Sequence, residues 1–135
     1  MRRAALAALL LAACAAPAGA PVEVECDATW RFIESHILVE LDGEPQTVPI
    51  ECIRDLGRRR IRIGFMMPAG PDCFALTGID VVESGEAVSI TLMLARNDDP
   101  LAGACPDEAR RAATEIELQA PVGDRALLDG SRTEP

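Results

Sequence analysis

Few residues in this 135-residue chain have side chains suited to chemistry: one histidine, five cysteines and four methionines, with no tyrosine. His36 follows Glu34 and Ser35. A Ser-His-carboxylate triad also needs an exposed nucleophile and an oxyanion hole, and no G-x-S-x-G stretch occurs. We therefore expect no enzymatic activity, and His36 reads as a surface or satisfied residue at a strand bend. Met66, Met67 and Met93 with His36 are soft ligands of the kind copper takes. Adjacent methionines on a strand point to opposite faces, so filling gaps in a core explains them better. Asp98-Asp99 lacks the D-x-D-x-D-G spacing of a calcium loop and precedes Pro100, where a turn is expected. No metal or cofactor is expected.

The basic residues are more concentrated. All 13 are arginine, and Arg58, Arg59, Arg60 and Arg62 form a short run inside a chain whose formal net charge is −9. On a strand, alternate residues share a face, which makes Arg58, Arg60 and Arg62 the candidate binding face for an anionic polymer or acidic partner. The competing reading is a solvated face balanced by Glu115 and Glu117 on a neighbouring strand. The acidic balance of the whole chain argues against nucleic acid as a partner.

The cysteines carry the clearest signal. Arg2 and Arg3 precede the uncharged apolar stretch Ala4 to Ala13, which is too short to span a bilayer and has the length of an export-signal core. The next residues complete Leu11-Ala12-Ala13-Cys14. This stretch resembles the lipobox of bacterial lipoproteins: a leucine, two small residues and a cysteine. The resemblance implies that residues 1–13 are removed as a signal peptide. It also implies that Cys14 receives a diacylglycerol, anchoring the chain on the extracytoplasmic face of a membrane in the cell envelope. The alternative is a conventional secretion signal cut after Ala18-Gly19-Ala20, which would leave Pro21 beside the cut. Cys26, Cys52, Cys73 and Cys105 remain, an even number in an exported chain, and two disulfides are expected. Three pairings are open, of which we favour neighbours, Cys26–Cys52 and Cys73–Cys105. Zinc is disfavoured by the single histidine and the absence of a CxxC pair.

Elements that would position these residues follow from periodicity. Residues 14–25 are rich in alanine and proline and read as an extended or mobile lipidated tether. Residues 26–130 read as the folded domain, and 131–135 as a tail. Alternation of period two marks strands around Trp30 and Phe32, at Ile37–Leu41, Val48–Cys52, Ile61–Phe65, Leu76–Val82, Val88–Leu94 and Ile116–Leu118. Asp42-Gly43 and Ser84-Gly85-Glu86 read as turns, Pro49 as the mark of an edge strand, and Gly78 as a bulge. Pro106 to Ala113 reads as the one helix, about two turns long, with Pro106 at its start. Seven short strands in one small domain predict an all-β fold: a small antiparallel β-sandwich with one wet face, immunoglobulin-like in the loose sense, with a small barrel as the alternative.

The C-terminal run Pro121-Val122-Gly123-Asp124-Arg125-Ala126-Leu127-Leu128-Asp129-Gly130 is similar to the Pro-Leu-Gly-Asp-Arg-x-hydrophobic-x-Asp-Gly pattern of a group of small bacterial envelope proteins. Gly103-Ala104-Cys105 matches a cysteine upstream in that group. The resemblance implies an exported β-domain and no particular chemistry. Physically, the run reads as a structural corner with a local Asp124–Arg125 salt link. The expected role is that of a monomeric, non-enzymatic envelope module for interaction or structure, held to a membrane by its lipid. From a different class, the alternative is an acidic inhibitor or binding protein for a basic enzyme such as a lysozyme.

Overall fold

The structure, a computed structural model, describes residues 16–32, 43–68, 73–96 and 108–132. Among the described residues there are nine strands and no helix. In chain order these are β1 (Ala20–Pro21), β2 (Arg31–Phe32), β3 (Gln46–Val48), β4 (Ile50–Gly57), β5 (Arg60–Pro68), β6 (Phe74–Glu83), β7 (Ala87–Arg96), β8 (Ala109–Glu117) and β9 (Ala126–Asp129). They form two sheets packed as a sandwich, the fold class expected from the alternation.

The first sheet is organised on β7, whose alternation is the cleanest in the chain. Strand β6 pairs with it antiparallel along its length, with a register shift between Leu76 and Gly78 where a bulge was expected. The opposite edge of β7 is shared end to end. Strand β9 runs parallel beside Ala87 to Ile90, and β3 runs antiparallel beside Leu92 to Leu94. The second sheet has the order β2-β8-β5-β4. Two pairings, β2 with β8 and β7 with β9, are parallel, so the sheets are not purely antiparallel.

Pro49 does more than mark an edge. It lies between β3 in one sheet and β4 in the other, where the chain crosses the sandwich. Val48 and Ile50 on either side are both buried. A register shift between Ile50 and Cys52 then turns Cys52 to the outer face of its sheet, opposite Gly64. The core lies between the sheets. Ile61, Ile63 and Phe65 from β5 meet Val88, Ile90 and Leu92 from β7, each essentially without exposure. Burying such side chains contributes roughly 1.5–3 kcal/mol each before chain entropy is counted.

Two expectations are corrected. The helix over Pro106 to Ala113 does not form in its described part: Ala109 to Ala113 belong to β8, paired residue by residue with β5. Alanine and arginine favour a helix locally, but Ala112 and Ala113 are small because large groups cross them. Ala112 pairs with Phe65, and Ala113 with Gly64 beneath Trp30. Tertiary pairing overrides weak propensity here.

The second correction concerns the tether. From Ala18 onward it is part of the fold. Ala20 and Pro21 pair with Asp129 and Leu128, the Val22 N–H donates to the Leu127 carbonyl (2.9 Å), and the Ile53 N–H donates to that of Val24 (2.9 Å). Gly19, at φ 140°, lies so close to the Asp129 carbonyl that no Cβ would fit.

Candidate functional site

The arginine run is placed by the β4–β5 hairpin. Arg58 and Arg59 form its two-residue tip, both at positive φ (51° and 69°), as the primed hairpin turns require. Arg58 is exposed at the apex. Arg59 therefore does not oppose Arg60 across a strand; its guanidinium donates to Glu117 at 2.7 Å. Arg60 and Arg62 share one outer face, as the alternation predicts, and converge on a single carboxylate. Arg62 donates through Nε (3.1 Å) and Nη2 (2.6 Å) to Oε1 of Glu115, while Arg60 binds Oε2. The Arg62 guanidinium holds the Glu115 carboxyl below its ordinary value, against burial, with Arg60 adding to the effect. The structure brings Arg60 and Arg62 together, sets Arg58 apart at the tip, and balances the run with Glu115 and Glu117.

Beside this face the sheet is not wet. Trp30 lies over Gly64, where an added Cβ would come within 2.9 Å of the indole and collide with the Cys52 sulfur. The Arg111 guanidinium stands over the ring, 5.2 Å from its centroid, and donates to Thr29 Oγ1 at 2.7 Å. Cys26 and Cys52 form a disulfide under this cover, 4.9 Å apart at Cα, and both are buried. Cys73 is also disulfide-bonded. Its expected partner Cys105 lies outside the described residues. So do Cys14, Ser35, His36, the Ile37–Leu41 strand and Asp98-Asp99.

The methionines do not converge. Met66 is half-buried on the outer face of β5, Met67 is in the core, and Met93 is on the outer face of the other sheet. Among the described residues no group of histidine, cysteine or acidic side chains has the geometry to hold a metal.

The C-terminal run is a corner, but not by the expected link. Asp124 is exposed, and Arg125 turns to Glu83 instead (3.0 Å). Its guanidinium also donates to the carbonyls of Ser84 (3.2 Å), Ala120 (2.8 Å), Pro121 (2.9 Å) and, through Nε, Val122 (3.4 Å). Burial pushes the Glu83 carboxyl up, but the Gln119 N–H and Arg125 outweigh it and hold the carboxyl below its ordinary value. Asp129 is the second latch. It is 1% exposed, and it accepts the Ile50 N–H at 2.8 Å just after the crossover. Its other oxygen accepts the N–H (2.9 Å) and hydroxyl (2.7 Å) of Ser131.

A feature the strand pattern did not announce is a cleft of about 470 Å³ at the end of the sandwich where β3 meets β4. Val48, Met66, Phe74 and Leu94 give it an apolar floor, and Glu44 and Gln46 a polar rim. Its lining comes from separate strands, so no local motif could reveal it. Its size suits a small organic molecule. Comparison of the chain with protein-family models, with curated proteins and with solved structures gives no match in any of the three.

Proposed function

We propose that this chain is a lipid-anchored protein of the bacterial cell envelope whose β-sandwich serves as a non-enzymatic interaction or structural module. The observation that carries this reading is the run Leu11-Ala12-Ala13-Cys14 directly after Arg2-Arg3 and the apolar stretch. The Cys26–Cys52 disulfide supports it, because such bonds persist in oxidising compartments. The built-in position of Ala18 to Ala20 supports it further. A cut after Ala20 would discard the Ala18 carbonyl that the Ser89 hydroxyl binds, and half of β1 with it. A cut before Cys14 leaves both in place.

The test is growth with radiolabelled palmitate followed by intact-mass measurement of the membrane fraction. The expected product begins at Cys14, carries diacylglycerol there, and loses its label in the Cys14→Ser variant. A soluble, unmodified product beginning at Pro21 would overturn the reading.

A second reading, an acidic binder of a basic enzyme, is favoured by one observation. The arginines at positions 59, 60 and 62 are ion-paired, while acidic residues such as Glu23, Asp55, Glu86 and Asp124 stand exposed. Salt-sensitive capture of a basic enzyme such as a lysozyme by the soluble Cys14→Ser domain tests it, and no capture at low salt rejects it.

A further inference from the structure

We infer that the outer face of the β6–β7–β9 sheet is the side this protein turns toward the phospholipid bilayer; the inference rests on the lipid-anchored reading. Two independent observations lead there. The first is where the anchored end of the chain joins the fold. The Ser89 hydroxyl of β7 donates to the Ala18 carbonyl, and Gly19 and Ala20 continue along Asp129. Ser89 pairs with Val82 and Leu128, on the opposite side of the sheet from the core residues Val88 and Ile90. Ala18 therefore lies on the outer face. Only four residue steps separate it from Cys14, a reach of about 14 Å when fully extended. So short a connection cannot pass around the sandwich to present the opposite sheet.

The second observation is the chemistry of the two outer faces. By register, the outer face of the first sheet carries Ser89, Thr91 and Met93 from β7, with Val82 and Asp80 from β6 beside them. Asp80 is the single charge in that set, and Val82 is 38% exposed. The outer face of the second sheet carries Arg54, Arg60, Arg62, Arg111, Glu115 and Glu117. A nearly uncharged face loses little hydration at a bilayer, whereas a charged one resists desolvation. The chain from Cys14 is two charges more negative than the −9 of the whole, because Arg2 and Arg3 leave with the leader. It gains nothing from anionic headgroups, so contact falls to the neutral side. The charged sheet, with the Arg58 hairpin and Trp30, then faces away from the membrane.

The test uses the lipidated full-length product in phosphatidylcholine vesicles containing a headgroup-attached nitroxide quencher. A fluorophore is placed at Asp80→Cys on one face and, in a second protein, at Glu117→Cys on the other. The emission of the native Trp30 reports on the charged face without any substitution. The expected result is loss of most emission from position 80, with little loss from position 117 or Trp30. A Gly-Ser spacer of about ten residues inserted between Pro17 and Ala18 should abolish the difference while leaving vesicle attachment intact. Equal quenching of the two faces without the spacer, or stronger quenching of position 117 or Trp30, overturns the orientation. A chain that lacks the acyl group and does not attach to vesicles overturns the anchoring reading itself, an outcome read separately from mass and flotation.

Discussion

Asp129 ties together segments that lie far apart in the chain. It closes β9, satisfies the Ile50 N–H exposed by the change of sheet at Pro49, and organises the turn to Ser131. Buried donors left without an acceptor are costly, so Asp129→Ala should destabilise the fold by about 3 kcal/mol. Urea unfolding measures this as a lowered midpoint at unchanged slope; a loss no larger than that of an exposed-site substitution would contradict it. Thr114 is the opposite case. Its hydroxyl is fully buried on β8 with no hydrogen-bond partner among the described residues, and it faces the core opposite Ile63. Thr114→Val keeps the shape and removes the unpaired group, and should stabilise by about 1 kcal/mol in the same assay. Neither role was legible in the sequence. Asp129 read as part of a corner motif, and Thr114 fell between the stretch read as a helix and the Ile116–Leu118 strand, because both are defined by partners far away in the chain.

At the scale of elements, the β5–β8 pair joins the stability of the sheet to pH. Arg62 and Arg60 hold the Glu115 carboxyl below its ordinary value of 4.5, while burial opposes them. A carboxyl depressed in the folded state binds protons more readily when unfolded. Its contribution is therefore complete above about pH 4.5 and is lost as pH falls through the lower folded value. Glu115→Gln should remove about 1 kcal/mol at neutral pH and flatten the acid limb of the stability curve. Parallel acid limbs for the two proteins would show that the carboxylate is not coupled to folding. The balance of Arg60 and Arg62 by Glu115 was legible in advance, since alternation placed all three on the outer faces of strands. The place of Arg59 was not, because it depended on a hairpin tip that adopts positive φ without glycine or asparagine. The strand alternation of β5 and β7 was likewise readable. That of β8 was hidden, since its alanines answer to Trp30 on one side and Phe65 on the other, both remote in sequence.

For the whole molecule, the largest departure from the pattern of residues is at the N-terminal side. Alanine, proline and glycine between Ala15 and Pro21 have the composition of a linker, and composition alone carries no information about which edge is open beside them. The short β9 leaves that edge, and the backbone of residues 20–22 fills it without needing large side chains, while Gly19 lets it approach. On the lipid-anchored reading, the site of processing would therefore affect folding as well as location. Two soluble forms separate the contributions: the chain from residue 14 with Cys14→Ser, and the chain beginning at Pro21. The shorter form loses the Ser89 hydrogen bond and the Ala20–Asp129 pairing, and it should unfold with about 1–2 kcal/mol less stability. Amide exchange should locate that loss in β9, where the Gly130 N–H bonded to the Ile90 carbonyl opens first. Equal stability of the two forms would mean that residues 18–20 rest on the sheet without supporting it. On the lipid-anchored reading, the short link from Cys14 would then have no firm root on the sheet, and the proposed orientation at the membrane would lack an energetic basis.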